Sequence, residues 1–125
     1  MDIQAQIDYW QNGSMEDIAA AGSLLDKGHF RHALFFAHLG VEKILKAHVV
    51  KQTSQAPPKI HNLIRLAEIA KIDLEASRLD FLNAFDAYQL EGRYPDAIQI
   101  PLDKKNSREE LTSAEEMLKW LQAQL

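Results

Sequence analysis

The ionisable side chains that could take part in chemistry are concentrated in residues 28–65. This stretch contains six basic residues and one acid, Glu42, whereas the rest of the chain holds 8 basic and 17 acidic residues. All five histidines also lie in it: His29, His32, His38, His48 and His61. One basic element in an otherwise acidic chain favours a local anion-binding site. The alternative is that positive and negative helices simply neighbour each other in the fold.

Within this stretch, a polar stripe recurs at helical spacing and consists of Arg31, His38, Glu42 and Lys46. The last three residues are each one helical turn apart, so their side chains can touch. A carboxylate at this spacing could orient the imidazole or hold the lysine over a phosphate. The alternative is an ordinary glutamate–lysine pair on a solvent-exposed face, which is worth about 0.3–0.5 kcal/mol.

A second candidate for binding chemistry is the segment Gly92-Arg93-Tyr94-Pro95. An arginine and a tyrosine in an irregular segment can hydrogen-bond a phosphate and stack on a base. The alternative is a glycine that ends a helix, followed by surface residues.

Other types of site find little support in the sequence. The pairs His29/His32 and His38/Glu42 have ligand-like spacing, but neither has a third ligand at a telling distance, and no His-Glu-x-x-His pattern occurs. There is no glycine-rich phosphate loop and no Gly-x-Ser-x-Gly motif. The absence of cysteine excludes a disulfide framework, a thiolate zinc site and a cysteine nucleophile. We therefore predict neither a metal nor a cofactor.

The elements that must position these residues are helices. Apolar residues at steps of three and four predict five of them, at about 3–27, 29–52, 61–70, 76–90 and from Ser107 onwards. Asn12-Gly13-Ser14 is a candidate kink, where Ser14-x-x-Asp17 could cap a new start, although the unbroken apolar phase favours one helix. Gly28 and Gly92 are predicted helix ends, and Ser107-x-x-Glu110 is predicted to cap the last helix. The prediction is one all-α domain, residues 1–125, built as a bundle of four long helices and one short helix.

The expected location is the cytoplasm. No stretch approaches the about 18 consecutive apolar residues of a membrane span. The first residues, Met1-Asp2-Ile3-Gln4, lack the basic segment and apolar run of a secretory signal. We expect a soluble protein with no membrane partner.

Taken in order, several motifs of the chain resemble the HEPN domain (higher eukaryotes and prokaryotes nucleotide-binding). They are Gly28-His29-Phe30, Ala33-Leu34-Phe35-Phe36-Ala37-His38, Val41-Glu42-Lys43-Ile44-Leu45-Lys46-Ala47, Pro57-Pro58, His61-Asn62-Leu63 and Gly92-Arg93-Tyr94-Pro95. The order and spacing are similar to the family pattern over nearly the whole chain.

The resemblance implies an up-and-down antiparallel bundle that forms a homodimer. It also implies a minimal nucleotidyltransferase as partner, in a toxin–antitoxin module or as binding and catalytic subunits. The binding residues that it implies are Glu42, Lys43, Lys46, His61, Arg93 and Tyr94. Lys46 and Arg93 would meet phosphates, Glu42 would fix the lysine, and Tyr94 would stack on a base or donate a hydrogen bond. The polar stripe is therefore expected to lie towards the segment that holds Arg93 and Tyr94.

One departure from the family bears on catalysis. Members that cleave RNA carry an arginine, four to six further residues and then a histidine, yet no histidine follows Arg93 or occurs anywhere after His61. Arg31 and His38 have six residues between them but lie on a different helix from the family motif. The sequence therefore favours a non-catalytic module that binds a nucleotide, RNA or a partner protein. The alternatives are a ribonuclease toxin with an atypical Arg31/His38 site and a purely structural homodimer.

Overall fold

A computed structural model describes residues 1–94, 96 and 100–125 of the chain. The regular elements of this part are all helices: α1 (Ile3–Asp26), α2 (Phe30–Thr53), α3 (Leu63–Ile69), α4 (Ala76–Phe85), α5 (Ala87–Arg93) and α6 (Lys104–Gln122). The fold is an all-α bundle, as predicted from the apolar periodicity. Across the described residues, no helix is both long and apolar enough to cross a membrane.

The long helices α1 and α2 pack closely against each other. The Ser14 hydroxyl, which could have capped a new helix, instead donates a hydrogen bond to the Gly40 carbonyl of α2, at 2.7 Å. A side chain at Gly40 would bring its Cβ to 3.3 Å from the Ser14 carbonyl oxygen, so the glycine permits the close approach. α1 therefore continues through residues 12–14. It ends before Gly28, whose positive φ of 83° makes the predicted turn.

α2 lies at the centre of the bundle and contacts α1, α3, α5 and α6. Its apolar face belongs to the main core, together with side chains from α3, α4 and α6. Fully buried members include Leu34, Val41, Ile44, Leu45, Leu63, Leu66, Leu82, Phe85, Leu111 and Leu121. These several neighbours account for the large number of buried side chains on α2.

The structure divides the single helix predicted for residues 76–90. α4 ends at Phe85 and α5 begins at Ala87, with Asp86 at the junction. The prediction that Gly92 ends this helix was wrong, because α5 continues through Gly92 to Arg93. The end is set by Tyr94, which is extended (φ −122°, ψ 119°) as expected for a residue that precedes a proline in the sequence. Pro95 itself lies outside the described residues.

The last helix begins earlier than predicted. Asp103 and Asn106 form the capping box, since each side chain accepts a hydrogen bond from the other residue's backbone N–H, at 2.7 and 2.8 Å. Ser107, the predicted cap, is buried inside the helix. The competing Asp103 carboxylate starts the helix one turn earlier, because aspartate caps as well as serine does.

A buried histidine connects α2 to α6. The imidazole of His48 donates a hydrogen bond from Nε2 to the Leu121 carbonyl, at 2.7 Å. Burial lowers the pKa of His48 from its usual 6.5, and the neighbouring Lys51 ammonium acts in the same direction, while the hydrogen bond to Leu121 opposes them. The folded chain therefore favours the neutral form of His48 more strongly than the unfolded chain does.

We expect acid to destabilise the fold through His48. As the pH falls below 6.5, the unfolded chain protonates His48 before the folded chain does, so the free energy of unfolding decreases. Urea unfolding at pH 7 and pH 5 should show a larger loss of stability for the wild type than for His48→Gln, which retains a hydrogen-bond donor. Equal pH dependence in the two proteins would contradict this account.

Candidate functional site

The polar stripe of α2 is buried from His38 to Lys46, and Glu42 is the centre of this buried part. The Glu42 carboxylate contacts the Lys46 ammonium through Oε2, at 3.0 Å, and His61 Nδ1 through Oε1, also at 3.0 Å. Glu42 and Lys46 are only 3% and 6% exposed, whereas the side chain of His61 remains partly open to solvent. The alternative of a solvent-exposed glutamate–lysine pair is therefore wrong.

The charges in this cluster compensate one another locally. Removing a carboxylate and an ammonium from water costs several kcal/mol per ion, and direct pairing is what offsets this cost. The Lys46 ammonium also lies 5.3 Å from the ring centroid of Trp10 on α1, where the electron-rich ring face attracts a cation. Lys46 is thus held between the Glu42 carboxylate and an aromatic ring.

His38 extends the cluster towards α4 and α5. Its Nε2 lies 2.8 Å from Oδ1 of Asp86, and its ring stacks on Phe85 with an interplanar angle of 11°. Because a carboxylate can only accept, the hydrogen-bond network assigns the proton to Nε2. The other nitrogen, Nδ1, is buried 3.9 Å from Glu42 Oε1 and has no hydrogen-bond partner among the residues that the structure describes.

Asp86 contributes a contact for which the sequence pattern gave no signal. Both of its carboxylate oxygens also accept from the backbone N–H of Leu63, at 3.2 and 3.3 Å. One carboxylate at the α4–α5 junction therefore holds α2, through His38, and the first residue of α3. We call the set of His38, Glu42, Lys46, His61 and Asp86 the Glu42 network. From the sequence, only the helical spacing of the three members on α2 (His38, Glu42 and Lys46) could be recognised.

Lys43 lies apart from the Glu42 network. Its ammonium is 2.7 Å from Asp17 Oδ2 on α1, and its aliphatic chain passes over Gly13. A Cβ at Gly13 would come within 3.1 Å of Lys43 Cδ, so the missing side chain makes room for the lysine. The structure therefore assigns Lys43 to the α1–α2 contact.

Arg93 and Tyr94 occupy a different region from Lys46. The Arg93 guanidinium carbon is 5.2 Å from the ring centroid of Phe35, and both Arg93 and Tyr94 are exposed. Phe35 precedes Lys46 by eleven residues on α2, which corresponds to about 16 Å along the helix axis. The expected meeting of Lys46 and Arg93 around one phosphate is therefore not observed in this arrangement.

A cleft of about 310 Å³ opens at this end of α2. We call it the Arg93 cleft, and it is lined by Arg31, His32, Phe35, Phe36 and Glu91. The buried Glu91 carboxylate pairs with the Arg31 guanidinium and also accepts from the Ile100 N–H. The polar stripe thus does approach α5, but through Arg31 and not through Lys46.

The geometry separates the two residues of the atypical ribonuclease hypothesis. Arg31 pairs with Glu91, whereas His38 pairs with Asp86 and has no exposed surface. In the part of the chain that the structure covers, no three histidine, aspartate or glutamate side chains are grouped as metal ligands would be. The exposed polar side chains beside the cleft include those of His32, Arg93 and Tyr94, and the Arg31 side chain is partly exposed.

Comparison with known proteins gives a consistent result. A model of the HEPN domain matches residues 7–124. The fold is similar to TT1696 from Thermus thermophilus, with 20% identity, a TM-score of 0.83 and coverage of 96% of this chain and 98% of that chain. It is also similar to ST0689, an archaeal HEPN homologue, with 19% identity, a TM-score of 0.74 and coverage of 94% and 96%. Among curated proteins, none matches the chain.

Proposed function

The chain belongs to the HEPN family, and on this premise we propose that it is a non-catalytic module that binds a nucleotide or a partner protein. The partner that we propose is a minimal nucleotidyltransferase, in a pair of the toxin–antitoxin type. The observation that carries the proposal is the exposure of Arg93 and Tyr94 beside the Arg93 cleft. No histidine follows Arg93 in the sequence, so the family's proton-transfer partner is missing.

Arg93, which contacts the lining residue Phe35, and the adjacent Tyr94 suit binding because of their residue types. A guanidinium offers paired donors to a phosphate or carboxylate, and an exposed phenol ring can stack on a base or on an apolar side chain. Arginine, tyrosine and phenylalanine are also enriched in protein interfaces. Leu90 on α5 and Ile100, whose backbone contacts Arg31 and Glu91, are exposed and add apolar surface on which a second copy could pack. We therefore place the proposed homodimer contact on this side of the molecule.

In this proposal the six predicted residues have different roles. Arg93 and Tyr94 contact the ligand or partner. Glu42, Lys46 and His61 hold the start of α3 against α2, and Asp86 connects this arrangement to α5, which carries Arg93. Lys43 supports the α1–α2 packing. The ribonuclease alternative gains no support, since Arg31 and His38 have separate carboxylate partners.

The experiment is an isothermal titration of the wild type and Arg93→Ala, first with ATP and then with a purified minimal nucleotidyltransferase as the proposed partner. We expect the substitution to cost about 1–3 kcal/mol of affinity, which is about 5- to 150-fold, as for a lost hydrogen bond to a charged group. The fold should remain intact, because Arg93 is exposed and its Phe35 contact is worth about 0.5–1 kcal/mol.

The matched control is Arg65→Ala, an exposed arginine on α3 that pairs with exposed Glu68 at 3.2 Å. This variant should bind both probes as the wild type does. Equal affinities of the wild type, Arg93→Ala and Arg65→Ala for both probes would show that the Arg93 cleft is not the binding surface.

A further inference from the structure

A second concave surface lies between α4 and α6 and shares no lining residue with the Arg93 cleft. It consists of two adjoining depressions of about 240 and 290 Å³, which have Glu75 and Arg78 in common. We call it the α4–α6 groove. Its remaining lining residues are Asp73, Leu74, Ser77, Phe81, Ser113, Glu116, Met117 and Trp120.

The α4–α6 groove already holds one guanidinium. The Arg78 guanidinium carbon lies 4.0 Å above the ring centroid of Trp120, and Nη2 donates to Glu116 Oε1 at 3.3 Å. Its Nε lies 3.6 Å from Glu75 Oε1, and the Arg78 side chain is only 17% exposed. A planar cation stacked on an indole and flanked by carboxylates is a favourable arrangement. The groove thus already stacks and pairs a guanidinium of this chain, that of Arg78. Its residue types therefore suit an arginine side chain.

The charge around Arg78 remains negative. Of the described residues that line the groove, three are carboxylates, Asp73, Glu75 and Glu116, and one is a cation, Arg78. The Glu75 and Glu116 side chains are mostly exposed, so each can accept further hydrogen bonds from a ligand. Leu74 and Phe81, which are partly exposed, supply apolar surface between the carboxylates. Such a surface repels phosphates and complements a segment that carries both basic and apolar side chains.

We propose that the α4–α6 groove docks a basic segment of a partner protein, in which an arginine or lysine inserts between the rim carboxylates and an adjacent aliphatic side chain packs on Phe81 or Leu74. The charge complementarity of the groove supports this occupant. The proposal does not depend on nucleotide binding or on the Arg93 cleft, because the two surfaces have different residues and opposite charge preferences.

The test uses a fluorescent 12-residue peptide of alternating arginine and leucine, with a glutamate-for-arginine version as the comparison peptide. Fluorescence anisotropy should show binding of the arginine peptide that weakens with salt, as expected for contacts between exposed charges. Glu116→Lys should weaken this binding at least tenfold, since it replaces an attractive charge in the groove with a repulsive one. Glu115→Lys is the matched control, because it makes the same change at the adjacent exposed position on α6, outside the groove lining.

A second variant, Asp73→Lys, covers the case in which Glu116→Lys unfolds the protein, since Asp73 lies in the connection before α4. It should also weaken binding about tenfold, with an unchanged circular dichroism spectrum. Equal peptide affinities for the groove variant that folds and for Glu115→Lys would overturn the proposal. Equal binding of the glutamate peptide would overturn it too, as would a self-associated wild type that either groove substitution dissociates.

Discussion

Glu42→Ala is expected to lower the free energy of unfolding by about 3–5 kcal/mol. The substitution removes the carboxylate that pairs with Lys46 at 3.0 Å and holds His61 at 3.0 Å. Lys46 is only 6% exposed, so its ammonium would remain buried. Among the described residues, its favourable neighbour would then be the electron-rich ring face of Trp10. The cost is that of an uncompensated buried charge, and urea unfolding monitored by circular dichroism measures it.

The control for this prediction is Glu68→Ala on α3. Glu68 also forms a salt bridge within one helical turn, with Arg65 at 3.2 Å, but both of its members are exposed. Its loss should change stability by less than about 1 kcal/mol. The double variant Glu42→Leu, Lys46→Met should be more stable than Glu42→Ala, because apolar residues of similar size can replace a buried pair. Equal losses for Glu42→Ala and Glu68→Ala would mean that the burial of the pair has no energetic consequence.

The ends of the long helices α1 and α2 could be predicted because the sequence pattern that marks them is local and repeated. In α1 and α2 the apolar positions recur over six or more turns, so the predicted ends lie within one residue of the observed ones. The glycine after α1 is a local signal of the same kind. Ser14 shows the limit of predictions made from neighbouring residues alone. As a helix cap it would have broken α1, but its hydroxyl donates a hydrogen bond to the carbonyl of Gly40 on α2.

The shorter helices depend on contacts that the sequence does not display. The predicted helix 76–90 is divided at Asp86, the residue whose carboxylate contacts His38 and the Leu63 N–H, 48 and 23 residues away in the chain. No periodicity encodes such a contact. The start of α6 was predicted wrongly for a different reason. Two residues that can cap a helix, Asp103 and Ser107, lie four residues apart, and the earlier one forms the capping box.

The candidate site was predictable only along α2. Helical spacing correctly predicted that Glu42 and Lys46 are in contact. It could not predict that their stripe faces inward, because charged residues at that spacing usually face solvent. The sequence also could not predict the distance between Lys46 and Arg93, since this distance depends on where α5 crosses α2. That crossing is near Phe35, eleven residues before Lys46.

Asp86→Ala is expected to cost about 2–4 kcal/mol of stability, although no sequence motif marks the residue. Asp86 accepts from His38 Nε2 at 2.8 Å and from the Leu63 N–H at 3.2 Å. Since His38 Nδ1 already lacks a partner, alanine would leave both nitrogens of a fully buried imidazole without a hydrogen bond. Each buried polar group left unsatisfied costs about 1–3 kcal/mol. The measurement is urea unfolding of the variant beside the wild type.

Two further variants separate this hydrogen bonding from a general effect of removing a carboxylate. Asp80→Ala removes an exposed carboxylate from α4 and should change stability by less than about 0.5 kcal/mol. Asp86→Asn keeps one acceptor oxygen at the α4–α5 junction, so it should lose less stability than Asp86→Ala. If Asp86→Ala proved as stable as Asp80→Ala, then Asp86 could not be what holds α3 and α5 against α2. The proposed connection between the Glu42 network and Arg93 would then lack a physical basis, because Asp86 is the residue that joins the network to α5.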